Sequence, residues 1–394
     1  MRGFIKGLAG LVIMVVLVWL GAWLYAEMRL KQLVTAQISR VNAAGTAQIS
    51  YDKLTTSHSP LVASVALTNP SWTSVPGAAT PPISVSAAGI GAHIDLTNPL
   101  VLHVDMPASI AVTTAKASGA ITFATADVTE QLSPSIWLGH TDNPVTGGDA
   151  RLAGINLLAS NGSLRVAQIG TLTLHQAVNA KAGPGQTALA LSEEMNDFSL
   201  SPILARLINL PFEGRITHLA ISLKLSGPLD WPSIAKQAAA LPDSDARHKF
   251  MLETLHQWAL AGGSGQGKLD MTLGASQLVA NGGVAFDKAA QPSGTADLTA
   301  SHLDQFTAAL TASYPGLQDW VSQFQARFSP YLTTTQAGGQ MLAMHTTYGK
   351  DGIMVNGEKT GDMPALDWNK LINPPPPPPP PAVAPGDGSG AAAP

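Results

Sequence analysis

The longest uninterrupted apolar stretch of the chain runs from Leu8 to Ala26, nineteen residues without a charge. At 1.5 Å per helical residue such a stretch spans roughly the 30 Å hydrocarbon layer, so the pattern predicts a single transmembrane helix. Trp19, Trp23 and Tyr25 gather at its C-terminal end, where amphipathic rings favour the headgroup region, and Arg2 and Lys6 flank the other end. Arg29 and Lys31 follow the span, so the charge rule gives only a modest preference for a cytoplasmic N-terminus. A cleaved secretory signal is the competing reading, but the stretch is longer than such a segment needs, and Trp23-Leu24-Tyr25-Ala26 puts bulky residues where a peptidase wants small ones. The segment therefore reads as a signal-anchor. Leu30, Leu33, Val34 and Ile38 continue at near-helical spacing and predict a short stalk over Glu27 to Val41.

Beyond the stalk the apolar period changes from that of a helix to that of a strand. From Ile49 to Val178 the chain repeats short segments rich in Val, Ile, Thr and Leu, such as Leu61 to Leu67 and Ile169 to Leu174, separated by Asn-Pro, Pro-Gly and Gly-Gly breaks. Alternation of this kind predicts half-buried antiparallel sheet. Ile216 to Leu225 repeats the pattern before the Gly227-Pro228 break, and Asp243 to Leu260 then reads as a capped helix stopped by Gly262-Gly263. Three strand-like pieces, Gly267 to Leu273, Gln277 to Phe286 and Gly294 to Thr299, predict a meander. Ser301-His-Leu-Asp304 has capping-box form and Pro315 suits a first helical turn, so two further helices are expected there. Lys350-Asp351-Gly352 predicts a hairpin between Met341 to Tyr348 and Ile353 to Val355, with a second turn at Asn356-Gly357. Eight consecutive prolines from Pro374 end the expected order near Ile372 and would form a polyproline rod about 25 Å long, read as a spacer or tolerated tail.

The fold class expected is therefore α+β: a transmembrane helix followed by a β-rich exported body of antiparallel strands with a few packed helices. The division is 1–41 for anchor and stalk, 42–372 for the body, and 373–394 for a disordered Pro-rich tail. A split of the body into two subdomains near 180–230 stands beside a single large one.

Composition narrows the function. Up to Lys53 there are six Lys/Arg against two Asp/Glu, which leaves 16 against 24 of the chain's 22 and 26, so the body is mildly acidic. No basic cluster exists to neutralise phosphates, which excludes nucleic acid as a partner. The charged fraction, 12%, is half that of an average globular chain, and cysteine is absent, which removes disulfides, thiolate catalysis and every Cys-based zinc site.

Ile49-Ser-Tyr51 with Ser57-His-Ser-Pro60-Leu61, the Gly267-Lys-Leu-Asp270 and Gly282-Gly-Val284 strands, and Asp351-Gly-Ile-Met-Val-Asn-Gly357 occur together in one order. In that order the chain, over about residues 1 to 370, resembles a bacterial envelope family catalogued as domain of unknown function twenty-one twenty-five. More distantly it is similar to AsmA-type proteins, which carry one N-terminal helix and repeated exported strands. One departure is His58, where a glycine and an aromatic would be expected. The resemblance implies a β-rich fold and a place in the cytoplasmic membrane with the bulk in the periplasm, and it supplies no catalytic residues.

The most suggestive chemical pattern is the doublet His93-Ile-Asp95 and His103-Val-Asp105, two strands joined by a Thr97-Asn98-Pro99-Leu100 turn. Alternation puts each His on the same face as its Asp, and a register pairing His93 with Asp105 and Asp95 with His103 would converge four metal-capable groups. The alternative is the solvated face of a hairpin with cross-strand His and Asp pairs. His248 and His256, eight apart on a predicted helix, lack zinc-protease spacing and read as exposed or cap-proximal. Gly262 to Gly267 lacks the second glycine of a serine elbow and the Lys of a phosphate loop, and reads as a helix stop. Glu193-Glu194 reads as a solvated helix start, and Trp231, Trp258, Trp320 and Trp368 as core.

The functional expectation is a non-enzymatic, membrane-anchored envelope protein without cofactor, binding or bridging an apolar or extended partner such as lipid or another envelope protein. A continuous apolar face along Ile216 to Leu225 and Ile110 to Phe123 would carry it. The alternatives are a metal-dependent hydrolase using the His/Asp hairpin and a purely structural scaffold.

Overall fold

A computed structural model describes residues 2–45, 47–56, 59–75, 81–139, 145–159, 162–241, 243–334 and 339–374, with the backbone alone for 2–13 and 15. His58 and most of the polyproline run lie outside these residues, as do the side chains of the first part of the apolar stretch, Leu8 to Ile13. Among the described residues, no helix is long and apolar enough to cross a membrane.

The chain opens with one 42-residue helix, α1 (Arg2–Ala43). Nothing interrupts it, since no proline lies inside and the apolar period of the first half passes directly into that of the second. It ends where Gly45 takes φ +69°, a left-handed conformation that costs glycine little. Asn42 then turns the chain into the sheet by accepting from the Ile49 amide at 2.6 Å and donating to its carbonyl at 3.0 Å.

In chain order the sheet contains β1 (Ala47–Ser50), β2 (Lys53–Thr56), β3 (Val62–Thr68), β4 (Ser71–Ser74), β5 (Ile83–Ser86), β6 (Gly89–Asp95), β7 (Val101–Asp105), β8 (Ser109–Thr114), β9 (Ser118–Thr122), β10 (Thr125–Leu132), β11 (Val145–Ala159), β12 (Leu164–Val178), β13 (Thr187–Leu200) and β14 (Arg215–Ser226). The second half continues with β15 (Ser264–Leu273), β16 (Ser276–Phe286), β17 (Pro292–Ser301), β18 (Leu332–Thr334), β19 (Gln340–Gly349), β20 (Gly352–Val355) and β21 (Glu358–Gly361). The shorter helices are α2 (Pro202–Leu207), α3 (Trp231–Ala239), α4 (Ser244–Leu260), α5 (Leu303–Ser313), α6 (Gln318–Phe328) and α7 (Trp368–Ile372).

Among the described residues, all 21 strands join one antiparallel sheet whose pivot is β11. One edge of β11 pairs with β12, while the other is shared by β10 and β9. Two arms leave from there, β10-β7-β6-β3-β2 and β9-β8-β5-β4-β1. On the other side the order is sequential from β12 through β17 to β19, so the meander expected over β15, β16 and β17 is present. The closing hairpin also forms as expected, with Gly352 at φ +107° and the next turn at Asn356 and Gly357, both at positive φ.

Helices cover the two ends of one sheet face. At the β3 end, Leu30 and Leu33 of α1 are buried against Val65, Ile94, Leu102, Leu132 and Ile136. Each such side chain contributes about 1.5 to 3 kcal/mol by leaving water. At the other end Trp258 of α4 packs with Leu229, Ile234 and Phe286, and α5 and α6 bring Leu303, Phe306 and Phe324 onto Leu278, Ala300 and Leu342.

Several local readings are corrected. Glu193 and Glu194 lie in the middle of β13, not at a helix start, because the long apolar alternation on either side recruits them into the sheet. Ser301 is a β17 residue and does not cap; α5 begins after His302, held at φ +50° with no side-chain cap bond, and the Asp304 carboxylate instead accepts the Gln340 amide at 2.9 Å. Trp258 and Trp368 are buried with their indoles donating to the Ser226 and Ala290 carbonyls, and Trp231 is half-buried, but Trp320 is 55% exposed: it stacks on Phe324 one turn along the same face of α6, and the sheet contact is made by Phe324 and Phe328 and does not extend to it. His256 is half-buried, stacked on Trp368 with ring centroids 4.8 Å apart.

Candidate functional site

Strict alternation combined with an unbroken ladder carries side chains across many strands on one face. Following the register from β10 to β15, one row of opposed residues is Ala126, Leu152, Leu172, Met195, Leu219 and Met271. The next is Val128, Ala150, Leu174, Glu193, Ile221 and Leu269, and the one after is Glu130, Gly148, Gln176, Leu191, Leu223 and Gly267. An apolar band thus crosses the sheet at right angles to the strands. Its ends are the surfaces that α1 and the later helices cover.

The middle of the band is open. Leu174, Leu191, Ile221 and Leu223 are 38%, 37%, 45% and 40% exposed, although they stand beside one another on neighbouring strands. They wall a groove of about 690 Å³ whose other margin is Val128, Val145 and Ala150. The floor is lowered where Gly148 falls in the register between Glu130 and Gln176. A Cβ at Gly148 would stand 2.9 Å from the Thr129 carbonyl oxygen, so the ladder itself requires glycine there. Because β11 to β14 are paired along both edges, the groove offers a ligand side chains and no strand edge.

Two carboxylates interrupt the band. Glu193 is exposed beside Leu174 and Ile221, whereas Glu130 is half-buried opposite Gly148 and Leu102, and burial pushes its pKa above the ordinary carboxylate range. A raised native pKa means that stability is full below the ordinary glutamate range and is lost as pH rises through the shifted value. Glu130→Gln is therefore expected to raise the thermal midpoint at pH 8 by about 2 °C and to leave it unchanged near pH 3.5. Scanning calorimetry at the two pH values checks this, and an equal shift at both would remove the ionisation account.

The opposite face is polar and holds the His/Asp doublet. The structure sets His93 directly across from His103, their rings stacked with centroids 4.9 Å apart, and Asp105 across from Gly91. His93 Nδ1 lies 3.1 Å from the Asp105 carboxylate along the diagonal, while Asp95 faces Val62 on the other neighbouring strand. All four share a face, as alternation requires, but the register brings His93, His103 and Asp105 together and leaves Asp95 beyond them. Among the described residues, no three His, Asp or Glu groups are gathered as metal ligands would be.

The same motif recurs where no doublet was visible. His175 meets Asp149 at 2.7 Å across β11 and β12, and His345 meets Asp297 across β17 and β19. His218 similarly meets Asn196 at 2.7 Å across β13 and β14. These pairs are distant in sequence and only the register reveals them. A second concavity on this face, of about 510 Å³, is lined by His175, Ser192, Lys224, Gln266, Lys268 and Asn281.

A family model described as an uncharacterized protein conserved in bacteria, DUF2125, matches residues 23–328. The chain belongs to that family. Its match includes the second half of α1, both arms, the whole open band and the α4 to α6 helices, so the band is part of the DUF2125 unit. No curated protein and no solved structure matches the chain.

Of the segments singled out from sequence, Ile216 to Leu225 supplies Ile221 and Leu223 to the groove, and Ile110 faces Ile121 in the second arm, half-buried. Leu174 and Leu191 lie outside those segments. Their alternation was visible, but which part of the face stays uncovered is decided by where the helices land.

Proposed function

We propose that this DUF2125 chain is a non-enzymatic envelope protein of the bacterial cytoplasmic membrane, anchored through Leu8 to Ala26 with its body in the periplasm, and that the open band holds an apolar, extended ligand. The observation that carries the reading is the run of four neighbouring, well-exposed leucine and isoleucine side chains between two helix-covered ends. Exposed apolar patches of that continuity mark binding surfaces. A ligand lying there meets hydrocarbon side chains and no free backbone donors, which suits a lipid acyl chain better than a peptide strand. The anchor supports the same ligand, since it keeps the groove next to a lipid supply.

The recurrence of His–Asp pairs across unrelated strand pairs favours a cross-strand stabilising role for His93 and Asp105, with each exposed pair contributing a few tenths of a kcal/mol, over a metal-hydrolase centre. The ligand reading is tested by native mass spectrometry of full-length protein released from detergent micelles. The expected result is a one-to-one adduct with the mass of a membrane lipid; bare protein alone would leave the band without a ligand and favour a structural scaffold.

A further inference from the structure

The helix and the body are not separated by a free stalk. Trp19 Nε1 donates to the Pro60 carbonyl at 2.8 Å, the Tyr25 hydroxyl donates to the Trp137 carbonyl, and the Arg29 guanidinium donates to the Ile136 carbonyl at 2.9 Å. Two pieces of the body, the turn at Pro60-Leu61 and the end of the 3-10 turn Pro134–Leu138, are thus tied by Trp19 and Tyr25 to the helix at heights that belong to its apolar stretch, and Arg29 holds the second piece just past the end of that stretch. The residues projecting there are themselves apolar, with Leu61 65% and Leu138 79% exposed.

Length makes this arrangement consequential. Between Lys6 and Trp19 the helix has twelve residues, about 18 Å, and even from Gly3 it has sixteen, about 24 Å. A bilayer needs about 30 Å of hydrocarbon-compatible surface. The segment that would complete the crossing, up to Ala26, is flanked by the two loops.

On the anchored reading above, we infer that Pro60-Leu61 and Trp137-Leu138 enter the outer leaflet beside the helix, so that the body rests on the bilayer through a second, monotopic contact. The bonded carbonyls of Pro60 and Trp137 carry their polar atoms in already satisfied, which lowers the cost of placing irregular backbone at that depth. Leu61 and Leu138 supply the apolar surface, and Trp19, Trp23 and Tyr25 supply rings suited to the same layer.

The absence of cysteine makes the test direct. Full-length Leu61→Cys, Leu138→Cys, Met14→Cys and Lys350→Cys variants are each labelled with a small fluorophore and reconstituted into phosphatidylcholine/phosphatidylglycerol vesicles. Phospholipids bearing a nitroxide near the headgroup or deep in the acyl chain are then titrated in. Met14 reports the span, and Lys350, next to β19 and eleven strands removed from β3, reports the far end of the sheet. The expected result is quenching of at least twofold by the shallow nitroxide at positions 61 and 138, by the deep one at 14, and by neither at 350. If 14 is quenched while 61 or 138 behaves like 350, the anchor stands and the loop contact is wrong. If 14 itself is unquenched, the anchor reading falls and takes the loop contact with it. Disulfide trapping of two copies through position 138 without quenching would assign that loop to a dimer and also overturn the inference.

Discussion

Replacing Trp258 with Ala is expected to lower the stability of the body by about 3 to 5 kcal/mol, the range for deleting a buried aromatic side chain. Trp258 is 5% exposed and closes one end of the sheet face: it packs with Leu225, Leu229 and Ile234 and meets Phe286 edge-on at 5.8 Å. Its indole also donates to the Ser226 carbonyl at 3.1 Å, so truncation removes a hydrogen bond as well as volume. The surroundings cannot close over the gap. Gly263, whose Cβ would stand 2.4 Å from the ring, is there because the ring lies on the backbone. Small neighbours of that kind have no side chain to swing into the cavity. Urea unfolding of the full-length protein in detergent, followed by tryptophan-independent far-UV circular dichroism, measures the change. A loss below about 1 kcal/mol would mean that α4 is peripheral to the fold.

The second large effect is on binding and not on stability. Leu174→Lys combined with Leu223→Lys is expected to weaken acyl-chain binding at least tenfold, or about 1.4 kcal/mol. The two residues lie on β12 and β14 with β13 between them, so both line the same stretch of groove. A hydrocarbon ligand seated there would have to desolvate two ammonium groups, and a charge gains nothing from an alkyl chain. Because both positions are about 40% exposed in the free protein, the folded state tolerates lysine within about 0.5 kcal/mol. Displacement of a fluorescent fatty acid from purified full-length protein gives the affinity, and the urea midpoint gives the control. An unchanged affinity at unchanged stability would remove the band as the ligand site.

Both predictions turn on positions that one-dimensional patterns treat unequally. Trp258 was readable as core because a tryptophan at the end of a capped helix, just before Gly262-Gly263, has apolar neighbours on both sides. The same reasoning placed Trp320 inside, where it is not, because helical spacing states that a face exists without saying whether a sheet lies beneath it. Glu193-Glu194 misled for a related reason: local charge suggested a helix start, and fourteen residues of ladder with β12 and β14 overrode it.

The sequence by itself determined the kinds of element and most of their ends: a long N-terminal helix from an unbroken apolar stretch and its amphipathic continuation, strands from alternation, turns from Asp-Gly and Asn-Gly, a helix stop from Gly262-Gly263. These are short-range matters of dihedral preference and period, and they need no distant partner. The tertiary structure alone decided what became of the faces. It set His93 against His103 instead of Asp105, made the same His–Asp pair out of residues 26 and 48 positions apart, tied Trp19 and Tyr25 to loops of the body, and left Leu174, Leu191, Ile221 and Leu223 side by side and uncovered. Register and helix placement are properties of the whole packed chain, since each is chosen by the area it buries and the bonds it completes against segments far away in sequence.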